Sequence, residues 1–372
     1  MSERIPLSRP AIGPAEEALV LEVLRSGRLS LGPMLGRFES ALAAFTGVEH
    51  VSAVSSGTAG LHLAIRAAGV APGDEVVTTP FSFVASANCL LFEDAKPVFA
   101  DIDPRTLNID PAAAEAAVSE RTTGLLPVHI FGYPADMPVL ERVAARQGLW
   151  IVEDACEAIG AVGEDGVQVG ARGNRASFAF YPNKQMTTGE GGAVICVDEE
   201  DKKRIDSERN QGRAPNMDWL DHDRLGFNYR LSDVAAALGV AQAERLPELL
   251  DSRAQAAALY NEALAGIDGL ELPCPDVARA KRSWFVYVVQ LPRGVDRDGM
   301  IGKLAEKGIE SKPYLPAIHL MSFYRERFGW REGQFPVCED VSRRSLALPF
   351  FGGIGESQVQ RVAEALTGLL PA

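Results

Sequence analysis

The chain has 372 residues, of which 47% are hydrophobic, and carries a formal net charge of -13 at pH 7. This length is large for one hydrophobic core, so we expect two domains. The excess of acidic residues argues against a broad nucleic-acid surface, which needs clustered Lys and Arg, although a locally positive pocket can still bind an anionic ligand.

Strand-like and helix-like segments alternate through the first two-thirds of the chain. Apolar, strand-like runs lie at 50–56, 74–80, 96–102, 123–132 and 149–155. Helical patterns lie between them at 58–69, 86–94, 110–120 and 137–148. This alternation predicts βαβ units and a mostly parallel sheet, and the continuous apolar run LWIV predicts a strand buried on both faces.

The C-terminal third has a different pattern. Residues 232–266 predict two helices with a break near Pro247, and a strand over 283–291 is followed by a helix over 300–308. We therefore place a domain boundary near residue 245. The expected division is a large domain, 1–245, and a smaller C-terminal α+β domain, 246–372.

Targeting segments and metal sites are not expected from the sequence. The N-terminal segment lacks the apolar stretch of a signal peptide and no apolar run is long enough to cross a bilayer, so we expect a cytoplasmic protein with no membrane partner. The five cysteines are widely spaced without a CxxC pair, and the five histidines form no i, i+4 pair. Reduced thiols and no metal are the expectation.

Three features point together to covalent chemistry. The turn 55–58 connects a strand to a helix, and free amides at such a helix start can bind a phosphate, although an ordinary N-cap is the commoner interpretation of one such turn. Asp154 ends a buried strand, where open α/β sheets bind ligands; its charge suits a cationic ring nitrogen, a helix cap or a salt bridge. Lys184, before the glycine-rich hairpin 187–192, is placed to form a Schiff base. The order of these three features along the chain favours a binding site for pyridoxal phosphate (PLP).

With these motifs in place, the sequence resembles the DegT/DnrJ/EryC1/StrS family of PLP-dependent sugar aminotransferases. Matching motifs run through nearly the whole chain, at 26–47, 55–65, 78–88, 101–110, 152–161, 180–192 and 226–239. The resemblance implies the α/β architecture of fold-type-I PLP-dependent aminotransferases, with a mostly parallel sheet flanked by helices in the large domain. It also implies a homodimer whose active sites are shared between subunits.

The resemblance assigns roles to individual residues around the cofactor. Lys184 matches the Schiff-base lysine, and Asp154 matches the acid that keeps the pyridine nitrogen protonated. Phe83 matches the aromatic residue that stacks on the cofactor ring. Asn228 matches an asparagine that reaches the phosphate in the neighbouring subunit's site. Glu157 stands near the ring oxygen, at a position where many members carry glutamine.

The phosphate site departs from the family pattern. By resemblance, Gly57, Thr58 and Ala59 form the phosphate-binding turn. Many members also bind the phosphate with a serine where this chain has Ala179. Ser177 lies two residues earlier on the same face of the strand, so it is a candidate replacement, the alternative being one lost hydrogen bond.

The resemblance implies a ping-pong transamination. L-Glutamate is the expected donor, pyridoxamine phosphate (PMP) the intermediate form of the cofactor, and a nucleotide-linked 4-keto-6-deoxy sugar the acceptor. Lys184 argues against the family's 3-dehydratases, which carry histidine there, and the TTGEGG motif that follows favours amination at C4. His319 matches a histidine of the substrate loop, with a buried structural role as the alternative.

Two other functions stay open at this stage. One is a cyclitol-ketone aminotransferase, and the other is a PLP-binding regulatory protein; the acidic pI and the lack of a helix-turn-helix pattern count against direct DNA binding by the latter. A Rossmann dehydrogenase is poorly supported, because no GxGxxG motif follows the first strand. The expected pathway is O-antigen or other surface-glycan assembly, or synthesis of a glycosylated natural product.

Overall fold

A seven-stranded sheet forms the centre of the computed structural model, which describes residues 4–214 and 221–370. Its strands are β1 Val51–Val54, β2 Glu75–Thr78, β3 Lys96–Phe99, β4 Thr122–Leu126, β5 Trp150–Asp154, β6 Arg175–Ala179 and β7 Gly192–Ile195. Their spatial order is β1-β7-β6-β5-β4-β2-β3. Only β7 within this sheet runs antiparallel to its neighbours, so the predicted α/β fold with a mostly parallel sheet is confirmed.

Thirteen α-helices lie within the described residues. They are α1 Pro14–Ser26, α2 Pro33–Thr46, α3 Gly57–Ala67, α4 Ala85–Leu91, α5 Pro111–Ala116, α6 Met137–Gln147, α7 Glu199–Arg209, α8 Asp233–Glu244, α9 Leu246–Ala263, α10 Arg297–Glu306, α11 Ser322–Phe328, α12 Pro336–Arg344 and α13 Glu356–Thr367. The helices α1, α2 and α8 cover one face of the sheet, and α3 packs on the other. A Cβ on Gly239 would lie 2.8 Å from the ring of Phe38, so this glycine lets α8 approach α2 closely.

Several predicted elements are longer than the observed ones, and two of them show why. The strand expected over 123–132 ends at Leu126, because Pro127 has no N–H with which to continue the ladder. A 3-10 turn, Ile130–Gly132, occupies the end of that segment. The helix expected over 110–120 begins as predicted, with Asp110 as its cap, but ends at Ala116.

The C-terminal region has its own antiparallel sheet and core. Its three strands, β8 Tyr287–Gln290, β9 Lys312–Pro313 and β10 Ser345–Leu348, are ordered β8-β10-β9. The break predicted near Pro247 lies at Arg245, since proline fits the first turn of a helix.

The helix α9 belongs to both cores. Leu246 and Leu249 pack in the core of the large sheet, whereas Ala257 and Tyr260 pack in the C-terminal core. The N-terminal residue Ile5 also lies in the C-terminal core. The division at residue 245 stays a prediction.

Candidate active site

A cavity of about 470 Å³ lies where several parallel strands end. Its lining comes from the turns that follow β1, β2, β4, β5 and β6, together with the loop around Lys184 and Tyr314 of the C-terminal region. Ligands of open α/β sheets bind at this edge. The cavity is therefore the candidate active site.

Lys184 projects into this cavity from a closed loop. The amide of Phe180 donates to the carbonyl oxygen of Gly191 at 2.9 Å, and the amide of Thr188 donates to that of Phe180 at 3.0 Å. Gly189 has φ of +78°, a conformation that favours glycine. The predicted tight hairpin thus holds Lys184 at the cavity wall.

The amine of Lys184 has two neighbours. Its Nζ lies 3.6 Å from Oε1 of Glu157 and 3.9 Å from the centroid of the Phe285 ring. Both a carboxylate and the face of an aromatic ring attract an ammonium group. The lysine side chain is therefore held in one place within the cavity.

The main chain of Lys184 is held by a buried arginine of α9. Arg253 is 4% exposed and donates to the carbonyl oxygen of Lys184 at 2.8 Å and to that of Phe285 at 3.0 Å. It makes longer bonds to the carbonyl oxygens of Asn183 and Trp284, at 3.2 and 3.4 Å. One guanidinium thus connects the lysine loop to the segment that presents Phe285.

Asp154 lies on the cavity floor at the end of β5. It is 4% exposed, and its Oδ2 accepts a hydrogen bond from Ser86 Oγ at 2.6 Å while Oδ1 accepts one from the amide of Cys156 at 3.1 Å. These two donors orient the carboxylate. A cationic ring nitrogen would find a fixed counter-charge here.

Glu157 is buried beside Lys184. Its Oε2 accepts a hydrogen bond from the amide of Phe131 at 2.9 Å. Burial raises the pKa of Glu157, and the nearby charge of Asp154 acts in the same direction, outweighing the attraction of Lys184 and the amide. Glu157 lies beside Lys184 in the cavity, and its predicted place near the ring oxygen of the cofactor stays a prediction.

The turn before α3 presents unused amides to the cavity. Ser56 caps the helix, its Oγ accepting from the amide of Ala59 at 3.1 Å. The amides of Gly57 and Thr58 have no acceptor among the described residues. A Cβ on Gly57 would lie 2.6 Å from that of Ala179, so only glycine keeps this approach open. The turn suits a phosphate.

Two residues expected at the phosphate lie behind the turn. Ala59 is buried in α3 and does not line the cavity. Ser177 is completely buried, and its hydroxyl donates to the carbonyl oxygen of Gly57 at 3.3 Å. Although Ser177 shares a strand face with Ala179, two residues of strand place it about 6.6 Å deeper. Its contact supports the turn from below.

The remaining predicted residues lie in three different places. Phe83 is at the cavity rim and is 60% exposed. Asn228 is exposed and outside this cavity, so its predicted contact across a dimer stays a prediction. His319 is completely buried away from the cavity, with Nε2 3.0 Å from Oε1 of Glu339, and burial lowers its pKa. This geometry favours the structural alternative for His319.

Sequence reasoning missed the contribution of the C-terminal region. Tyr314 lines the cavity, and Phe285 lies beneath the lysine amine. Neither residue stands in a motif with a chemical signature. Arg253 lies in an ordinary helical pattern, where an arginine usually faces solvent.

The donor set of the cavity fits PLP. Unused amides at Gly57 and Thr58 suit its phosphate, Asp154 suits its ring nitrogen, and Lys184 suits its aldehyde. The exposed ring of Phe83 is available to stack on a flat cofactor. Together with the mostly parallel sheet and the small C-terminal region, this site defines a PLP-dependent transaminase of fold type I.

The chain belongs to the DegT/DnrJ/EryC1/StrS aminotransferase family, whose model matches residues 10–367. It is 37% identical to the spore coat polysaccharide biosynthesis protein SpsC of Bacillus subtilis, over 98% of this chain and 97% of SpsC. It is also 37% identical to the GDP-perosamine synthase of Caulobacter vibrioides, over 99% and 98% of the two chains. The crystal structure of DesV from S. venezuelae matches with a TM-score of 0.91 and 33% identity, over 99% and 98%.

These comparisons confirm the family, the fold class, the transaminase activity and the use of PLP. Several relatives and solved structures are named for sugar amination or polysaccharide synthesis, which supports a sugar aminotransferase. No helix within 4–214 or 221–370 has the length and apolar character needed to span a bilayer.

Proposed function

We propose that the protein transfers an amino group from L-glutamate to C4 of a nucleotide-linked 4-keto-6-deoxy sugar, in active sites shared by the two subunits of a homodimer. Membership of the family supports a sugar acceptor, and one relative is named for a GDP-linked product. The TTGEGG motif after Lys184 supports amination at C4.

The observation that carries the transamination is that the Nζ of Lys184 lies 3.6 Å from Glu157 in a cavity that Asp154 also lines. When bound, PLP supplies an aldehyde for the Schiff base and an electron-withdrawing ring. Asp154 would hold the proton on the ring nitrogen of the bound cofactor. The free amine of Lys184 would take the proton from the α-carbon of the donor and deliver it to the carbon on the other side of the donor nitrogen. Glu157 and Phe285 hold that amine within reach.

The exposed rim of the cavity supports a shared site. Phe83 and Tyr181 are 60% and 52% exposed although both line the cavity. Large exposed apolar side chains around a cavity mark a surface that another molecule covers. A second subunit that brings Asn228 to this rim would both cover the rings and supply a donor for the phosphate.

The first experiment is an absorption titration of the PLP-loaded protein. We expect the visible band of the lysine-bound cofactor to disappear on addition of L-glutamate, with formation of the PMP form. The PMP form is then mixed with GDP-, UDP- and dTDP-linked 4-keto-6-deoxy sugars, 3-keto sugar nucleotides and a cyclitol ketone.

Return of the visible band with a 4-keto sugar nucleotide, and an amino sugar identified by mass spectrometry and NMR, supports the proposal. A response to the cyclitol ketone alone would show that the acceptor is a cyclitol ketone and not a sugar nucleotide. A band that does not respond to glutamate would contradict the proposed donor.

A further inference from the structure

A second cavity, of about 230 Å³, lies beside the candidate active site without sharing any lining residue with it. We call it the Arg282 cavity. It is lined by residues 104–107, Phe131, residues 271–275, Arg282, Val286, Val288 and Gln290. It therefore lies between the loop after β3 and the strand β8, where the large sheet meets the C-terminal region.

Arg282 brings a buried charge to this cavity. It is 6% exposed, and no carboxylate within the described part of the chain forms a salt bridge with it. One terminal nitrogen donates to the carbonyl oxygen of Cys274 at 3.1 Å and contacts Sγ of the same residue at 3.2 Å, but the buried Nε has no acceptor. The carbon of the guanidinium lies 4.6 Å from the centroid of the Tyr133 ring and 4.8 Å from that of the Trp284 ring.

A buried cation with an unused donor is costly unless something pairs with it. The aromatic rings stabilise the charge, and the buried Nε in the plane of the guanidinium remains without an acceptor among the described residues. Arginine binds carboxylates and phosphates in this in-plane manner.

Gln290 adds an unused acceptor on the same cavity. Its Nε2 donates to Oγ of Ser345 at 2.8 Å, and that hydroxyl in turn donates to the carbonyl oxygen of Val341 at 2.7 Å. Because the hydroxyl proton is already used, Ser345 must accept from the amide, and the orientation of the Gln290 side chain is fixed. Its Oε1 is buried and has no donor among the described residues.

We propose that the Arg282 cavity binds a small anion that also carries a hydroxyl group, with the anionic oxygen at Nε of Arg282 and the hydroxyl at Oε1 of Gln290. Hydroxycarboxylates and the protonated forms of phosphate share this chemistry. Of the charged groups near the cavity, Arg105 is exposed and Glu271 pairs with Arg344 at 2.9 Å, whereas the carboxylate of Asp276 accepts from the main-chain amide of Arg282 at 3.1 Å. This site does not depend on the proposed sugar substrate.

The residue Phe131 connects the two cavities. It lines the Arg282 cavity, whereas its amide donates to Glu157 of the active site and its ring packs against that of Tyr314 with centroids 5.8 Å apart. Its φ of +53° is unusual for a residue with a side chain. An anion in the Arg282 cavity contacts a residue that positions Glu157, so we expect binding to alter the active site.

The test is isothermal titration of the PLP-loaded protein, in which the phosphate site of the cofactor is already filled. Inorganic phosphate and glycolate are the two probes, representing phosphates and hydroxycarboxylates, and sulfate is the matched anion without a hydroxyl. We expect one saturable site per chain for at least one probe. Arg282→Met should weaken that binding at least about tenfold, since a charge-assisted hydrogen bond is lost. Arg325→Met, which removes an exposed arginine of α11, should leave it unchanged.

A second variant keeps the test decisive if Arg282→Met does not fold. Gln290→Met should weaken phosphate or glycolate binding and leave sulfate binding unaltered. Hydrogen exchange at the amide of Phe131 should slow when the probe binds. Equal binding by wild type and the folded Arg282→Met protein, or no saturable binding of either probe to wild type, would overturn the proposal. If the probe does not slow exchange at the amide of Phe131 while the protein keeps its activity on the sugar, the result counts against the anion site and leaves the function proposed above intact.

Discussion

Replacing Arg253 by methionine tests whether this residue positions Lys184, the proposed Schiff-base lysine. The guanidinium donates to four main-chain carbonyl oxygens, two of them at 3.0 Å or less, in the lysine loop and in the segment that presents Phe285. Methionine fills a comparable volume but donates no hydrogen bond. The carbonyl oxygens of Lys184 and Phe285 would lose their short contacts.

The expected loss of stability is small, because two large effects oppose each other. Hydrogen bonds to a charged donor contribute roughly 1.5–3 kcal/mol each, so two short bonds contribute about 3–6 kcal/mol. Burial lowers the pKa of Arg253 to about 10 from 12.5, which corresponds to an unfavourable term of about 3 kcal/mol that the variant removes. The free energy of unfolding should fall by only about 0–3 kcal/mol.

The expected loss of activity is larger than the loss of stability. A displaced reacting group lowers the rate steeply, and a shift near 1 Å costs about 100-fold. We therefore expect the single-turnover rate with L-glutamate to fall by about 10- to 100-fold in Arg253→Met. The melting temperature should change by a few degrees only, on the order of 2 °C per kcal/mol.

Stopped-flow absorption measures this rate, and hydrogen exchange at Lys184 and its neighbours reports on the loop directly. Arg253→Lys is the matched control, because it keeps the charge but cannot reach both segments at once. We expect it to fall between wild type and the methionine variant. A methionine variant with the wild-type rate and unchanged exchange in the loop would refute the positioning role.

Four further changes follow from the site. Lys184→Ala should abolish transamination, measured as amino-sugar formation, because no other amine lies in its place. Asp154→Asn should weaken PLP binding and lower turnover by at least about 100-fold, since the counter-charge of the ring nitrogen is lost. Mixing inactive Lys184→Ala and Asn228→Ala subunits should restore some activity if Asn228 acts across the dimer. Glu157→Gln should raise the melting temperature of the apoprotein relative to wild type as the pH rises above 4.5, because folded Glu157, whose pKa is raised, retains a proton that the unfolded chain has released.

Each of these expectations has its own contrary result. Turnover by Lys184→Ala would remove the lysine from its role, and a near-wild-type rate in Asp154→Asn would do the same for the aspartate. A lack of activity in the mixed subunits contradicts the role of Asn228 only if subunit exchange is verified and the Asn228→Ala homodimer is itself impaired. For Glu157→Gln, a difference in melting temperature from wild type that does not change with pH would show that folding does not raise the pKa of Glu157.

The sequence predicted those parts of the site that carry local signals. The turn at Gly57, the end of β5 at Asp154 and the loop around Lys184 each combine an unusual backbone with a chemically apt side chain, and parallel strands bring their ends together. Residues such as Arg253 and Phe285 approach the lysine from about 70 and 100 positions further along the chain. Their contribution depends on tertiary packing, which has no local pattern in the sequence.

The sequence also did not predict how deeply a residue of a strand lies below the cavity surface. Alternation correctly gives Ser177 and Ala179 the same face, but it does not tell which of them reaches the surface of the cavity. Burial likewise favours the structural alternative for His319, whose Nε2 lies 3.0 Å from Oε1 of Glu339.

The helix α9 has a practical consequence for making chimeric enzymes. Its first turns are rooted in the core of the large sheet, its last turns in the C-terminal core, and Arg253 lies between them. A chimera with its junction at residue 245 takes its C-terminal region from a relative. The residue at position 253, which binds the main chain of the lysine loop, would therefore also come from that relative. A junction placed after Ala263 would instead keep the native Arg253 and exchange only the C-terminal residues that follow. A change in substrate preference could then be separated from a change in the position of Lys184.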